Sequence, residues 1–475
     1  MKILFCSSEA APFAKTGGLG DVIGALPKAL AKEGNDVRVI MPLYSSIDKK
    51  YLQTARALGS VNVNLAWRNQ YSGLYETDMD GVVYYFVDNL YYFDRKTIYG
   101  HFDDGERFAF FSKAILESLV LADFYPDIIH VNDWQTALVP VFLNVFYRSV
   151  KGFENTKTVL TIHNIKFQGQ YDRFLSGDML GLNEYDQKLV EYKDCCNYLK
   201  GGIECSDIVT TVSETYAKEI TYPYFGFGLE DILNERYYKL KGIVNGIDTE
   251  LFDPKTDKAL KENYTIRSIG RKAKNKEALC ELLDLPYQEN TPMFSMITRL
   301  TDQKGMDLVC DRLEEMLSAD LQLVILGQGD WKYECLLTAM AEIYPTKLKV
   351  IINFSTDLAS KIYAGSDFFL MPSKFEPCGL SQMVAMRYGT IPVVRETGGL
   401  KDTVKAINPV KRTGTGFTFK TFNSYDMLDA VWRAFGAFFD KELIKQVQKN
   451  MAKEDFSWKN SAKKYYQIYS DLIKD

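Results

Sequence analysis

A chain of 475 residues exceeds the usual size of a single hydrophobic core, so two domains are the default expectation. With 46% apolar residues, 25% charged residues and a net charge of −5, it reads as a soluble globular protein with no general pull on nucleic acid. The apolar start MKILFC is too short for a secretory signal, no apolar run approaches the roughly 18 residues of a membrane helix, and three histidines leave little for a histidine-rich metal site.

Chemistry first gathers near the N-terminus. The apolar run Ile3–Cys6 reads as a strand and Val22, Ala25, Leu26, Ala29 and Leu30 as a helix face; Lys15–Val22, KTGGLGDV, lies between them. A strand, a glycine turn and a helix N-terminus beside an ammonium suit a phosphate. The dinucleotide fingerprint is not met, because Ile23 stands where a third glycine belongs, and the Walker pattern fails because Lys15 precedes the glycines. A tight turn with a solvated lysine is the other reading.

Further strand-like runs follow at Val37–Met41, Val82–Val87, Ile128–Val131, Val159–Ile162 and Ile208–Val212. A second series begins at Lys241–Val244 and continues through Phe294–Ile297, Leu321–Leu326, Lys349–Ile352, Phe368–Met371 and Ile391–Val394. Alternation with helical patterns predicts two parallel α/β domains, divided near Leu240–Asp248. Aromatics crowd Tyr84–Tyr99; strand packing accounts for most, with sugar contact reserved for one or two near Tyr99. The hexapeptide Thr16–Asp21 is echoed at Thr397–Asp402, where Glu396 replaces Lys15. Eight cysteines without a C-x-x-C pair read as free thiols of a reducing cytosol.

Ligands of open parallel sheets collect at the carboxyl ends of strands. Those ends carry Asn132, Asp133 and Trp134; His163 and Asn164; Asn245, Gly246 and Asp248; Arg299 and Lys304; and Ser373, Lys374, Glu376 and Cys378-Gly379-Leu380. Arg299 and Lys304 could offset the charge of a departing diphosphate without a metal, or could be two surface cations. Glu376 could accept from a sugar hydroxyl, or could brace a proline-bent loop. His163 reads equally as a core histidine, and Cys378 lacks a histidine to activate it as a nucleophile.

Together the motifs resemble the bacterial glycogen synthases and plant starch synthases. The matching stretches include SSEAAPFAKTGGLGDV (7–22), FDRKTIYG (93–100), HVNDWQTALVP (130–140), TIHNIKFQGQY (161–171), NGID (245–248), TRLTDQKGMDL (298–308) and the long run from Pro372 to Val404. They follow family order over nearly the whole chain.

The resemblance implies an α/β protein of GT-B fold, with two Rossmann-like doubly wound parallel-sheet domains facing across a deep cleft. Residues 1–243 would form the acceptor-side domain, 244–455 the donor domain, and 456–475 a helix crossing back to the first. It implies a cytoplasmic glucosyltransferase that moves glucose from ADP-glucose to the non-reducing end of glycogen or another α-1,4-glucan, with retention, and needs no cofactor, metal, nucleic acid or membrane. Lys15, His163, Arg299, Lys304 and Glu376 would carry catalysis. Lys15, Gly17, Gly18, Asp21, Asn164, Asn245, Phe354, Cys378, Gly379 and Leu380 would hold the sugar nucleotide, and Tyr99 and Asp133 would face the acceptor. Many related transferases place a second Glu eight residues after the first; here that position is Val384. Phe354 stands where the family often has a tyrosine, so its ring can still stack on the base but offers no hydroxyl.

Overall fold

The computed structural model describes residues 1–353 and 355–474, so Phe354 lies outside the described residues. The chain divides into two compact units. The first is Met1–Asn245 together with the final helix, Trp458–Lys474; the second is Gly246–Ser457.

The first unit is built on a nine-stranded sheet. From one edge its order is Leu240–Gly242, Ile208–Thr211, Lys157–Ile162, Ile128–Asn132, Lys2–Cys6, Asp36–Pro42, Val82–Asp88, Arg68–Met79 and Arg56–Leu65. All pairs are parallel except those made by the last two strands, a hairpin of polar-rich sequence that ends the sheet. The central strands are rich in apolar residues because both faces are covered; Ile128–Asn132, its His130 and Asn132 included, is buried at every position. The chain runs from Lys2–Cys6 to one side and then restarts at Ile128–Asn132 on the other. Their shared carboxyl end is therefore a topological switch point, where open α/β sheets keep their ligands. The strand expected over Lys241–Val244 at the head of the second half instead runs Leu240–Gly242 and closes the edge of the first sheet, parallel to Ile208–Thr211. Three residues carry no periodicity that would reveal which sheet recruits them.

The final helix buries Trp458, Ser461, Ala462, Tyr465 and Tyr469, a 3.6-residue stripe. It docks on the first unit through His130, whose Nδ1 lies 2.6 Å from the Tyr469 hydroxyl.

The second unit holds a six-stranded, wholly parallel sheet in the order Leu348–Ile351, Gln322–Leu326, Met293–Ile297, Phe368–Met371, Ile391–Arg395 and Phe417–Phe419. Its switch point lies between Met293–Ile297 and Phe368–Met371. Arg299 and Lys304 follow the first of these strands; Ser373 and Glu376 follow the second.

Candidate active site

In the first unit the strand Lys2–Cys6 delivers Ser7, Ser8 and Glu9 to the switch point. Glu9 is only 3% exposed. Its carboxylate accepts from the Thr16 N–H (2.5 Å), the Thr16 hydroxyl (2.7 Å), the Gly17 N–H (3.2 Å) and the Tyr99 hydroxyl (2.6 Å). The single phenol hydrogen goes to Glu9, so Ser8 Oγ, 2.8 Å away, donates to the Tyr99 oxygen. Tyr99 thus turns its hydroxyl inward. The Gly17 amide, expected from the sequence to face the donor, also points at Glu9 rather than into solvent.

Lys15 and Asp21 pair at 2.6 Å with side chains 44% and 40% exposed. An exposed pair contributes less than about 1 kcal/mol, so an anionic ligand can displace the carboxylate cheaply. The helix Gly18–Ala31 begins without a side-chain cap, and a Cβ on Gly17 or Gly18 would meet nothing within 4 Å. The positive end of a helix therefore fronts open space.

Asp133 sits at φ +55° after Ile128–Asn132 and accepts the His163 N–H at 2.7 Å, with the Asn164 N–H at 3.5 Å. Burial pushes its carboxyl up to about 7, against the pull of those two N–H groups, and nearby Glu9 adds to the rise. Asn132 sends its amide nitrogen to the carbonyls of Cys6 and His130, which turns its oxygen toward His163 Nε2 at 2.9 Å. The ring donates there, so Nε2 carries the proton; burial lowers its pKa to about 3 and keeps it neutral. Asn164 Oδ1 accepts the Lys166 N–H. Asn245 is buried, and its side-chain oxygen has no hydrogen-bond partner among the described residues.

In the second unit the Arg299 side chain is exposed and its guanidinium has no ion-pair partner among the described residues. Lys304 spans both oxygens of Glu376 at 2.9 and 2.6 Å, and Ser373 Oγ donates to the same carboxylate at 2.9 Å. With side chains 16% and 7% exposed, this pair is sheltered. The loop after Phe368–Met371 is pinned from several sides. Lys374 N–H donates to Gln303 O, the Arg395 guanidinium reaches the carbonyls of Ser373 and Lys374, and Gly399 N–H reaches those of Glu376 and Pro377. Cys378 is buried; Gly379 stands at φ +69° and Leu380 precedes the helix Ser381–Arg387. Val384 is buried in that helix, where no second carboxylate is presented.

The two similar hexapeptides differ in what surrounds them. A Cβ on Gly398 would lie 2.0 Å from Glu376 O and one on Gly399 2.0 Å from Cys378 O, so the second pair of glycines seats the Glu376 loop. The first pair faces open space.

Lys15 with Asp21, Asp133 with His163 and Asn164, and Lys304 with Glu376 are thus brought together within their units. Glu9 and Asn132 organise these groups although the sequence assigns neither a role; Glu9 lies in the loop after Lys2–Cys6 and Asn132 ends Ile128–Asn132, the two strands that flank the switch point. Among the described residues no group of three or more His, Cys, Asp or Glu could hold a metal ion, and no helix is long and apolar enough to cross a membrane.

Comparison with known proteins agrees across the chain. Residues 2–235 match the family model of the starch synthase catalytic domain, and residues 284–435 that of glycosyl transferases group 1. Proteins named glycogen synthase from Lactobacillus acidophilus and Bacillus cereus are each 48% identical, with all of both chains covered. The catalytic domain of starch synthase IV from Arabidopsis thaliana, solved bound to ADP and acarbose, superposes with a TM-score of 0.92 at 34% identity, covering 100% of this chain and 99% of that one. A sucrose-phosphate synthase from Thermosynechococcus elongatus, 16% identical with a TM-score of 0.62, shares the fold. The chain belongs to the starch and glycogen synthase family of GT-B glycosyltransferases.

Proposed function

We propose that this glycosyltransferase lengthens an α-1,4-glucan at its non-reducing end with glucose from ADP-glucose, retaining the anomeric configuration and releasing ADP. The observation that carries the reading is the pairing of charged loops with switch points: Lys15 and an uncapped helix start at one, Arg299 with Lys304 and Glu376 at the other. Full-length relatives named glycogen synthase and a neighbour solved with ADP support the donor and acceptor classes.

In this reading the bond from the anomeric carbon to the β-phosphate oxygen breaks as an acceptor hydroxyl oxygen bonds on the same face. The acceptor's proton passes to the departing phosphate. Lys15, Arg299 and Lys304 offset the charge that develops on the leaving group. The Gly17–Gly18 turn, with Asp21, lets the donor approach closely, and Asn245 offers its unpartnered oxygen to a hydroxyl. Glu376, held by Lys304 and Ser373, takes glucose hydroxyls beside the Cys378–Leu380 backbone. His163 presents its backbone carbonyl beside the transferred sugar, with Asn164 next to it, while Asp133 and the ring of Tyr99 serve the acceptor. Among the described residues no cysteine forms a disulfide, which fits a reducing cytoplasm.

Nucleotide release measured with ADP-glucose or UDP-glucose, with and without glycogen, tests this. Release from ADP-glucose that requires glycogen is expected. Use of UDP-glucose alone overturns the donor, and equal release without glycogen overturns transfer.

A further inference from the structure

A buried carboxylate needs partners, and Glu9 has a full set. An ionised carboxyl group offers about four acceptor positions. Here Oε2 takes the Thr16 and Gly17 N–H groups, and Oε1 takes the Thr16 and Tyr99 hydroxyls. With its positions filled by the protein itself, Glu9 is poorly placed to act as a base or nucleophile. What it does is join two segments, one of which lies 90 residues from it in sequence.

That distant segment is anchored. The wholly buried Arg107 donates to the carbonyls of Tyr92 and Ile98, and Asp104, its ion-pair partner, accepts the N–H groups of Gly100 and His101. Tyr99 therefore stands on a fixed base. The other segment, Lys15–Gly18, is exposed and runs into the uncapped helix. Gly20 supplies the room: a Cβ there would lie 3.0 Å from the Lys15 side chain and 3.3 Å from Glu9 Oε2.

We infer that Glu9 is a positioning residue, which fixes the exposed Lys15–Gly18 turn against the anchored Tyr99 segment and so sets where the Lys15 ammonium meets the sugar nucleotide. This rests on the proposal that Lys15 serves the diphosphate. The Glu9 carboxylate touches no reacting atom, and its effect on turnover passes through Lys15.

Kinetics and hydrogen exchange test it together. Glu9→Ala is expected to lower kcat about 30-fold or more, since a displacement near 1 Å costs up to about a hundredfold. KM for ADP-glucose is expected to change by less than about threefold. Glu9→Gln keeps an acceptor for the two N–H groups and is expected to recover kcat to within about fivefold of wild type. Added to Lys15→Ala, Glu9→Ala is expected to cost less than about twofold more, because both act through one group. Losses that multiply in the double variant overturn the inference, as does wild-type kcat in Glu9→Ala. If Glu9→Ala fails to fold, Glu9→Asp withdraws the carboxylate by one carbon and is expected to lose about tenfold in kcat.

In substrate-free protein, Glu9→Ala is expected to speed exchange of the Thr16 and Gly17 amides about tenfold or more while Ile128–Asn132 stays protected. Unchanged exchange at those two amides overturns the inference whatever the enzyme's donor proves to be. Wild-type turnover in Lys15→Ala would instead overturn the role given to Lys15, leaving the exchange result to decide whether Glu9 holds the turn.

Discussion

Asp133 combines two uncommon properties: a left-handed backbone at φ +55° and a carboxyl group pushed up to about 7 chiefly by burial. A folded-state pKa above the usual 3.8 means the folded protein holds this proton more tightly than the unfolded chain. The associated stability is present below pH 4 and is lost as pH rises through about 7. Asn tolerates the same backbone and still offers an oxygen to the His163 N–H, without ionising. Asp133→Asn is therefore expected to melt higher than wild type at pH 8, by up to a few kcal/mol at about 1.4 per pH unit, with the advantage shrinking toward pH 4. His130 and His163, both pushed down to about 3 by burial, act in the opposite sense, removing stability as pH falls from about 6.5. Both variants carry them, so a difference of melting temperatures across pH isolates Asp133. A pH-independent difference would show that its carboxyl does not titrate in this range.

At the scale of elements, the two T-G-G-L-x-D loops look alike in sequence and have different surroundings. Gly399→Ala forces a Cβ to within 2.0 Å of Cys378 O, backbone that cannot rotate away, so a loss of about 2 kcal/mol or more is expected, with turnover falling as the Glu376 loop shifts. Gly18→Ala meets nothing within 4 Å and opens a helix, so thermal stability is expected to hold or rise slightly while turnover falls. Equal melting losses in the two variants would contradict the assignment. The strand, glycine turn and helix of each loop were legible because buried parallel strands write continuous apolar runs and glycines mark the turns. Which loop is packed and which is open was not legible, because it depends on whether a distant segment, here Glu376–Cys378, lies against it. The same limit hid Glu9, whose four donors come from residues 16, 17 and 99. Arg56–Leu65 also escaped, since its polar residues and edge position leave little apolar pattern to read.

The whole chain leaves its first unit after Asn245 and re-enters it at Trp458. Where it crosses, Ile247 bridges Ser457 in parallel and donates its N–H to Phe456 O at 2.8 Å, while Ser461 Oγ donates to Val244 O at 2.6 Å. The excised stretch Gly246–Ser457 is continuous and has its own sheet and core, so it is expected to fold alone with a cooperative thermal transition. Residues 1–245 alone lose the Trp458–Lys474 stripe. That exposes the surface covered by Tyr465 and Tyr469 and strips buried His130 of its Tyr469 partner, a loss of about 1–3 kcal/mol from the hydrogen bond alone. Because Val244 and Ser461 touch, a linker of about six residues, reaching about 20 Å, can join 245 directly to 458. The fused unit is expected to melt well above residues 1–245, and Tyr469→Phe within it is expected to forfeit part of that gain. If residues 1–245 melt like the fusion, the returning helix adds nothing to the sheet it covers, and the second crossing of the chain has no structural cause.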